Sequence, residues 1–568
     1  MEFLESVTFM SLVTDLQRQN HIPGLSIAIV HNNEIASKGY GMANYEDNTS
    51  CTGDTLFDIA SCSKSLTAAS VALLVDDKKH PEVQYDALMS DLLPDDFVMP
   101  EKSYTDDVTV EDILSHRTGM ASHDSSYMGS NATHPDNARS ITRNLRNLKV
   151  AAPLRSRYLY CNQMFTVATH LVEETSKKSF SDFLDERIFA PLNMNSTTLQ
   201  PASAHAKGWG DRMAKGYIWE NNAWRGFHPQ NCPEGQGAGS VISSAKDLIK
   251  WVKALLYHEG PINDRVYQGL TKMRSIVNPN ARRLKAHTTP AIYTAGMEMY
   301  FYRGNMVIGH DGSIPGFSSR FMFMPNSNFG AVVLGNSAGA GGAATAIMRA
   351  LMDEVLGVPI EERPSQNNNK RRDIEPKKDL AIQTKVPHQD QKEHQLKDRY
   401  PGLSKEQPSE DAQAEPKDEP QGHTSNDGQT KKTAKKEKNK GTQQPQRQKK
   451  QGGKLKKRDR SLPPQETPPE AYVGRYWNAG YHTMMVQIKD DRLFIDATDR
   501  SMGFTMTFEH VKDQTKYIAH LKDDIELTDD PVDAEFVFED GKAVKMGLDL
   551  EPAIKDMIWF TRHNDGCK

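Results

Sequence analysis

The sequence predicts a mixed α/β (α+β) module, an antiparallel sheet flanked by helices with an α-rich insertion, followed by a small C-terminal all-β barrel or sandwich. Three observations predict it. Strand-like apolar runs lie near both ends of the first 358 residues and enclose a mostly helical middle. A charged tract poor in aromatics then interrupts the chain. From residue 470 onward, short alternating segments recur between turn residues.

The first module, residues 1–358, opens on an amphipathic stretch over residues 3–16. The runs GLSIAIV (24–30) and EIASKGY (34–40) flank Asn32 and Asn33, which reads as two strands around a turn. Apolar residues at helical spacing mark 65–76, 109–114, 163–175, 180–189 and 245–256, while 321–324 and 330–334 are apolar strand candidates. After residue 470, segments such as TMMVQIK, RLFIDAT, GFTMTFEHV, KYIAHLK, AEFVFED and AVKMGLDL are separated by Asp, Gly or Pro. Regular short strands of this kind form a small barrel or sandwich of about a hundred residues, large enough to fold alone.

Composition bounds the rest. Of 568 residues, 37% are hydrophobic and 26% charged, with mean hydropathy −0.66, so part of the chain is expected not to fold. That part is residues 359–469, rich in Lys, Gln, Glu and Pro, and too long for a loop inside one domain. The net charge of −5 conceals fourteen Lys or Arg against two acids in residues 431–460. Without interleaved aromatics, this basic run is expected to be a solvated linker, not a nucleic-acid site. No apolar run reaches the roughly 18 residues of a membrane span. Cys51, Cys62, Cys161, Cys232 and Cys567 are scattered and odd in number, with no CxxC pair, so neither a disulfide framework, a metal site nor a cofactor is expected. Glu2 and Glu5 stand where a signal peptide would carry Lys or Arg, which makes the cytoplasm the expected compartment and the sequons at Asn48, Asn131 and Asn195 chance matches.

The sharpest chemical signal is FDIASCSKSLTAASVALLVDD, where Ser61 and Lys64 are three apart at the start of a helical run. On a helix both side chains project to one face, about 5–6 Å apart. A desolvated Lys64 amine can accept the Ser61 proton, and the helix-start amide can support an oxyanion. Taken alone, a Ser in such a place is more often only a helix cap. A second cluster, Tyr160, Cys161 and Asn162, directly precedes another helical run. Tyr160 is a candidate base if the Lys64 ammonium stabilises its phenolate, and Asn162 can hold Lys64 and a substrate carbonyl. In the third, His310-Asp311-Gly312, Gly312 would let a strand approach a substrate closely, and the Ser313 amide would be the second oxyanion donor. His310 would line the cleft.

The order of these clusters and their flanks resembles the serine β-lactamase and penicillin-binding-protein-like superfamily, in the branch of class C β-lactamases, D-aminopeptidases, family-VIII esterases and fungal transesterases. The resemblance covers residues 16–357 and is carried by HIPGLSIAIVHNNEIASKGYGMAN, FDIASCSKSLTAA, VEDILSHRTGM, YCNQMFTVATHLVEE with FLDERIFAPLNMNSTT, GAGSVISSAKDLIKWVKALL and GHDGSIPGFSS. It implies that Ser61 is acylated, that Lys64 activates it, that Tyr160 is base and later acid, and that Asn162 completes the second motif. His310 and Gly312 stand where many relatives have Lys-Thr-Gly, a departure that favours esterase and aminopeptidase chemistry over antibiotic hydrolysis. The implied roles of Cys62 and Cys161 are small packing residues. His116 is taken as structural, and Gly237 and Gly239 as turn formers. Residues 470–568 are similar to the lipocalin-like domains appended to some aminopeptidase-type relatives, on strand pattern and GRYWN.

The expected function is thus a metal-free serine hydrolase, forming an acyl-enzyme at Ser61 from a small-molecule ester or peptide substrate. An acyltransferase of secondary metabolism is the alternative within this chemistry, and a non-catalytic scaffold the alternative outside it.

Overall fold

The computed structural model describes residues 2–363, 464–526 and 528–563. Positions 364–463 of the expected linker, and Cys567, lie outside the described residues. No described helix is long and apolar enough to cross a membrane. The sheet of the first module has nine antiparallel strands, in the order Thr49–Ser50, Glu34–Asn44, Gly24–His31, Phe329–Gly335, Phe317–Met324, Asn305–Ile314, Glu298–Tyr302, Ile292–Tyr293, Ser275–Ile276. Its centre joins the two ends of the module, with Ile27 opposite Val333 and Phe321 opposite Val332.

Side chains alternate across a strand, and both faces of the central strands are buried. Ile27 and Ile29 pack with Phe9 and Val13 of the helix Val7–Gln19 and with Ile347 and Leu351 of the helix Ala340–Val355. Ala28 and Val30 face the other layer, with Leu66 of the helix Ser63–Asp76 and Leu248 of the helix Ala245–Tyr257. The amphipathic stretch expected over 3–16 is broken in two. Ser6 caps the Phe9 amide at 3.2 Å, which ends the short turn Glu2–Glu5 and starts the helix one residue later.

The helix Ser63–Asp76 is the interior element. Every residue from Ser63 to Val75 is buried, the pattern of a helix enclosed on all sides. Its hydroxyl residues make this possible by satisfying themselves on the chain: Ser70 donates to Leu66 O at 2.9 Å, and Thr67 to Gly237 O at 2.8 Å.

The second module is a closed barrel of eight antiparallel strands from Gly474–Asn478 to Ile558–Arg562. Closure comes from pairing of the first and last strands, Tyr476 with Arg562. The interior is filled by rings: Tyr472 lies 5.1 Å from Phe536 and 5.5 Å from Tyr517.

The barrel docks on the first module along residues 122–129. Buried Glu551 accepts from the Ser122 hydroxyl at 2.9 Å and the His123 amide at 2.8 Å. Tyr481 OH donates to His123 Nδ1 at 2.7 Å, because His123 Nε2 must donate to the Lys149 carbonyl at 2.8 Å. Further along, the Gly129 amide donates to Asp499 O at 2.9 Å and the Ser501 amide to Tyr127 O at 3.2 Å. Replacement Glu551→Ala strands the buried His123 N–H. It is expected to cost about 1–3 kcal/mol, read as a lowered Tm and denaturation midpoint. Val537→Thr on the exposed outer wall of the barrel is expected to change stability by less than about 0.5 kcal/mol.

Candidate active site

The nucleophile turn is set by a second, three-stranded sheet. Leu56–Asp58 pairs with Val241–Ser244, and the Ile59 amide donates to Val241 O at 3.0 Å. Ala60 then takes a left-handed conformation, φ 46°, which for a residue with a Cβ costs on the order of 1–3 kcal/mol. Buried Asp58 holds it there, accepting from the Ala60 amide at 2.7 Å. Burial pushes the Asp58 carboxyl up to about 7. The turn Ala60–Cys62 leads directly into the helix Ser63–Asp76, which puts Ser61 at the mouth of the site and Lys64 one turn inward.

Lys64 is fully buried, with Nζ 2.9 Å from Ser61 Oγ and 2.7 Å from the Ala238 carbonyl. Burial pulls its ammonium down to about 7, although the Asp124 charge works in the opposite direction. Tyr160 donates to Ser61 Oγ at 2.8 Å. Ser61, Lys64 and Tyr160 are therefore brought together at one oxygen. The electrostatics differ from the sequence expectation of a stabilised phenolate. Burial drives the Tyr160 phenol well above its ordinary value, so in the resting site tyrosine keeps its proton and lysine is the group that sheds one.

The partner of Lys64 also differs from expectation. Asn162 donates instead to Asp124 Oδ1 at 3.1 Å, and the Ala238 carbonyl takes the place foreseen for it. Ala238 lies between Gly237 and Gly239, and only the first of these requires glycine. At Gly237, φ is 83° and a Cβ would stand 2.3 Å from Thr169 Cγ2, whereas at Gly239 a Cβ would meet nothing within 4 Å.

The strand Asn305–Ile314 forms the opposite wall. His310 is buried, its Nδ1 bonded to the Asp311 carbonyl at 2.5 Å and its Nε2 to Tyr293 OH at 2.9 Å. A carbonyl only accepts, so the proton sits on Nδ1 and Tyr293 donates to Nε2. Burial, then the Lys64 charge, lowers His310 to about 4, and it stands in the wall as a neutral ring. Gly312 was expected to admit a substrate, but the space of its absent Cβ is taken by the chain itself. A Cβ there would lie 2.4 Å from Ile59 O and 2.2 Å from Ser319 Oγ. The glycine thus lets the strand close on the nucleophile turn, and Ser313, exposed, follows it at the rim. Cys62 and Cys161 are fully buried with thiols raised to about 12 by burial, as suits packing residues. Cys51, Cys62, Cys161 and Cys232 are all free.

Four contributors were not singled out from the sequence: Ala238 acts through its backbone and was signalled only by its flanking glycines, Asp124 and Tyr293 belong to no motif, and Ala60 acts through its φ. Asp124 belongs to the loop held by the barrel, for its neighbours 122, 123, 127 and 129 are the residues bonded there. Ser501 also lies 3.0 Å from Cys232 Sγ, at the base of the Ala238 loop. The barrel thus supports two walls of the site from behind.

Residues 459–562 match a domain of unknown function, DUF3471. An unguisins hydrolase of Aspergillus campestris is 37% identical over 361 residues, 62% of this chain and 66% of its own length. A D-aminopeptidase of Brucella canis is 27% identical over 349 residues, 59% of this chain and 60% of its own length. The chain therefore spans under two thirds of the length of each of these relatives. The octameric penicillin-binding protein homologue from Pyrococcus abyssi shares the fold, with TM-score 0.54 at 18% identity over 98% of this chain and 99% of its own. With residues 9–353, more than half of its length, matching the family throughout, the chain belongs to the Beta-lactamase family.

Proposed function

We propose that this protein is a serine hydrolase that acylates Ser61 and cleaves a small amide or ester, with a peptide bond next to a D-configured or otherwise unusual residue as the preferred target. The observation that carries this reading is Ser61 Oγ lying 2.9 Å from a buried lysine Nζ and 2.8 Å from a tyrosine OH. The substrate class draws support from the names of the relatives, a hydrolase of unguisins and a D-aminopeptidase. A β-lactam with its carboxylate fits less well, since the wall offers neutral His310 where many relatives have lysine, and Asp124 adds a carboxylate at Asn162.

In the amine form, Lys64 donates to Ala238 O and takes the Ser61 proton on its lone pair as Oγ bonds to the substrate carbonyl carbon. The amides of Ser61 and Ser313 receive the resulting oxyanion. As the scissile bond breaks, the Tyr160 phenol gives its proton to the leaving amine or alkoxide. The Lys64 ammonium, with Nζ 4.8 Å from the tyrosine ring centroid, then restores the phenol proton. Water repeats the sequence on the acyl-enzyme.

Intact-mass spectrometry after brief exposure to p-nitrophenyl esters is expected to show one acyl increment on the wild type and none on Ser61→Ala. An increment that persists in Ser61→Ala would refute the assignment. Because Lys64 must be neutral, kcat/KM is expected to rise with pH through an apparent pKa near 7, and Lys64→Arg, permanently charged, to lose about 10²–10⁴-fold in acylation. A profile flat from pH 5 to 9 would exclude Lys64 as the base. Added alcohols separate hydrolysis from acyl transfer: free acid remains the main product of a hydrolase, and new ester becomes the main product of a transferase.

A further inference from the structure

His116 stands outside every step above, yet it brackets Tyr160 from both sides. Its carbonyl accepts from the Leu159 amide at 2.8 Å, and its side-chain Nδ1 accepts from the Cys161 amide at 3.0 Å. One residue therefore holds the amide of the residue on each side of the tyrosine. The ring also lies against the phenol, with centroids 4.3 Å apart, and against Tyr293 at 4.7 Å, the residue that fixes His310. His116 does this from a left-handed backbone conformation, φ 56°, and is fully buried.

Two properties separate this arrangement from simple space filling. Since Nδ1 accepts, the proton resides on Nε2, which has no hydrogen-bond partner among the described residues. A buried donor left unpaired is costly, and phenylalanine would fill the same space without that cost. The one polar atom the ring uses is the acceptor aimed at Cys161. Burial, with the charges of Lys64 and His310, also drives the imidazolium well below its ordinary range, which favours the neutral ring and its Nδ1 acceptor.

We propose that His116 is the positioning residue of the site, holding the Tyr160 phenol on Ser61 Oγ through its paired bonds to the Leu159 and Cys161 amides. This rests on the serine-hydrolase reading of Ser61. The side-chain bond is the separable part, because an asparagine Oδ1 can occupy the place of Nδ1 and asparagine tolerates the left-handed backbone.

The test compares His116→Asn and His116→Phe in the full-length chain, with Ser61→Ala as the blank. Two readouts are followed: the Ser61 acylation rate with p-nitrophenyl acetate, and hydrogen exchange of the Cys161 amide by mass spectrometry. The Phe variant is expected to lose about 10–100-fold in acylation rate with KM little changed, and to lose Cys161 protection. The Asn variant is expected to recover most of both. A Phe variant that acylates at the wild-type rate overturns the proposal, whatever its exchange. So does an Asn variant as slow as Phe despite restored protection, because the bond would then be irrelevant to Tyr160. If the Phe variant does not fold, the Asn variant still decides: wild-type rate with wild-type protection supports the proposal, and a slow rate with wild-type protection overturns it. A wild-type chain that takes no acyl group dependent on Ser61 would instead overturn the hydrolase reading and this proposal with it.

Discussion

The site depends on a lysine amine held away from water. Charge is expensive in such a place, so the amine is driven toward its neutral form, and a neutral amine is the form able to accept a hydroxyl proton. The surroundings follow from that need. The helix carrying Lys64 is enclosed on all sides and so is built from small and apolar residues whose hydroxyls bond to the chain itself. A backbone carbonyl, from Ala238, satisfies the amine without bringing a compensating negative charge. Gly237 is required because the loop offering that carbonyl presses against Phe165 and Thr169.

The remaining groups divide by how burial acts on them. It keeps the Tyr160 phenol protonated, His310 uncharged and the thiols of Cys62 and Cys161 unreactive. Proton movement is thus confined to the short path from tyrosine through serine to lysine, and the ring layer around His116 gives that path a rigid floor. At the nucleophile turn strain enters through the left-handed Ala60, and the Asp58 carboxyl two residues earlier restrains it. Gly312 then allows the last wall to close on this turn, so segments distant in sequence together fix the geometry at Ser61.

Local pattern made much of this readable. Strand-like runs around Asn32 and Asn33 announced the hairpin, short segments between turn residues announced the barrel strands, and helical spacing placed Ser61 and Lys64 on one face. Other features have no local pattern to read. Barrel closure joins Tyr476 to Arg562, residues far apart in the chain, and no periodicity records such pairing. The Ala238 carbonyl is common to every amino acid, so only its glycine flanks hinted at it. The direction of proton transfer between Lys64 and Tyr160 depends on how much water each loses on folding, which residue identity alone does not convey. The helix break at Ser6 was open to view as a capping residue but lay beneath a continuous apolar pattern.

The support given by Glu551, Tyr481 and Ser501 to the loop around Asp124 has a bearing on how the protein comes into being. Ser122 and Glu551 are 429 positions apart in sequence. A ribosome therefore finishes the nucleophile, the lysine and the tyrosine long before it makes the groups that brace one wall of their cleft. During that interval the nascent chain holds its chemical groups but lacks the brace on that wall, so maturation of the site waits for the barrel and not for the completion of the domain that performs the chemistry.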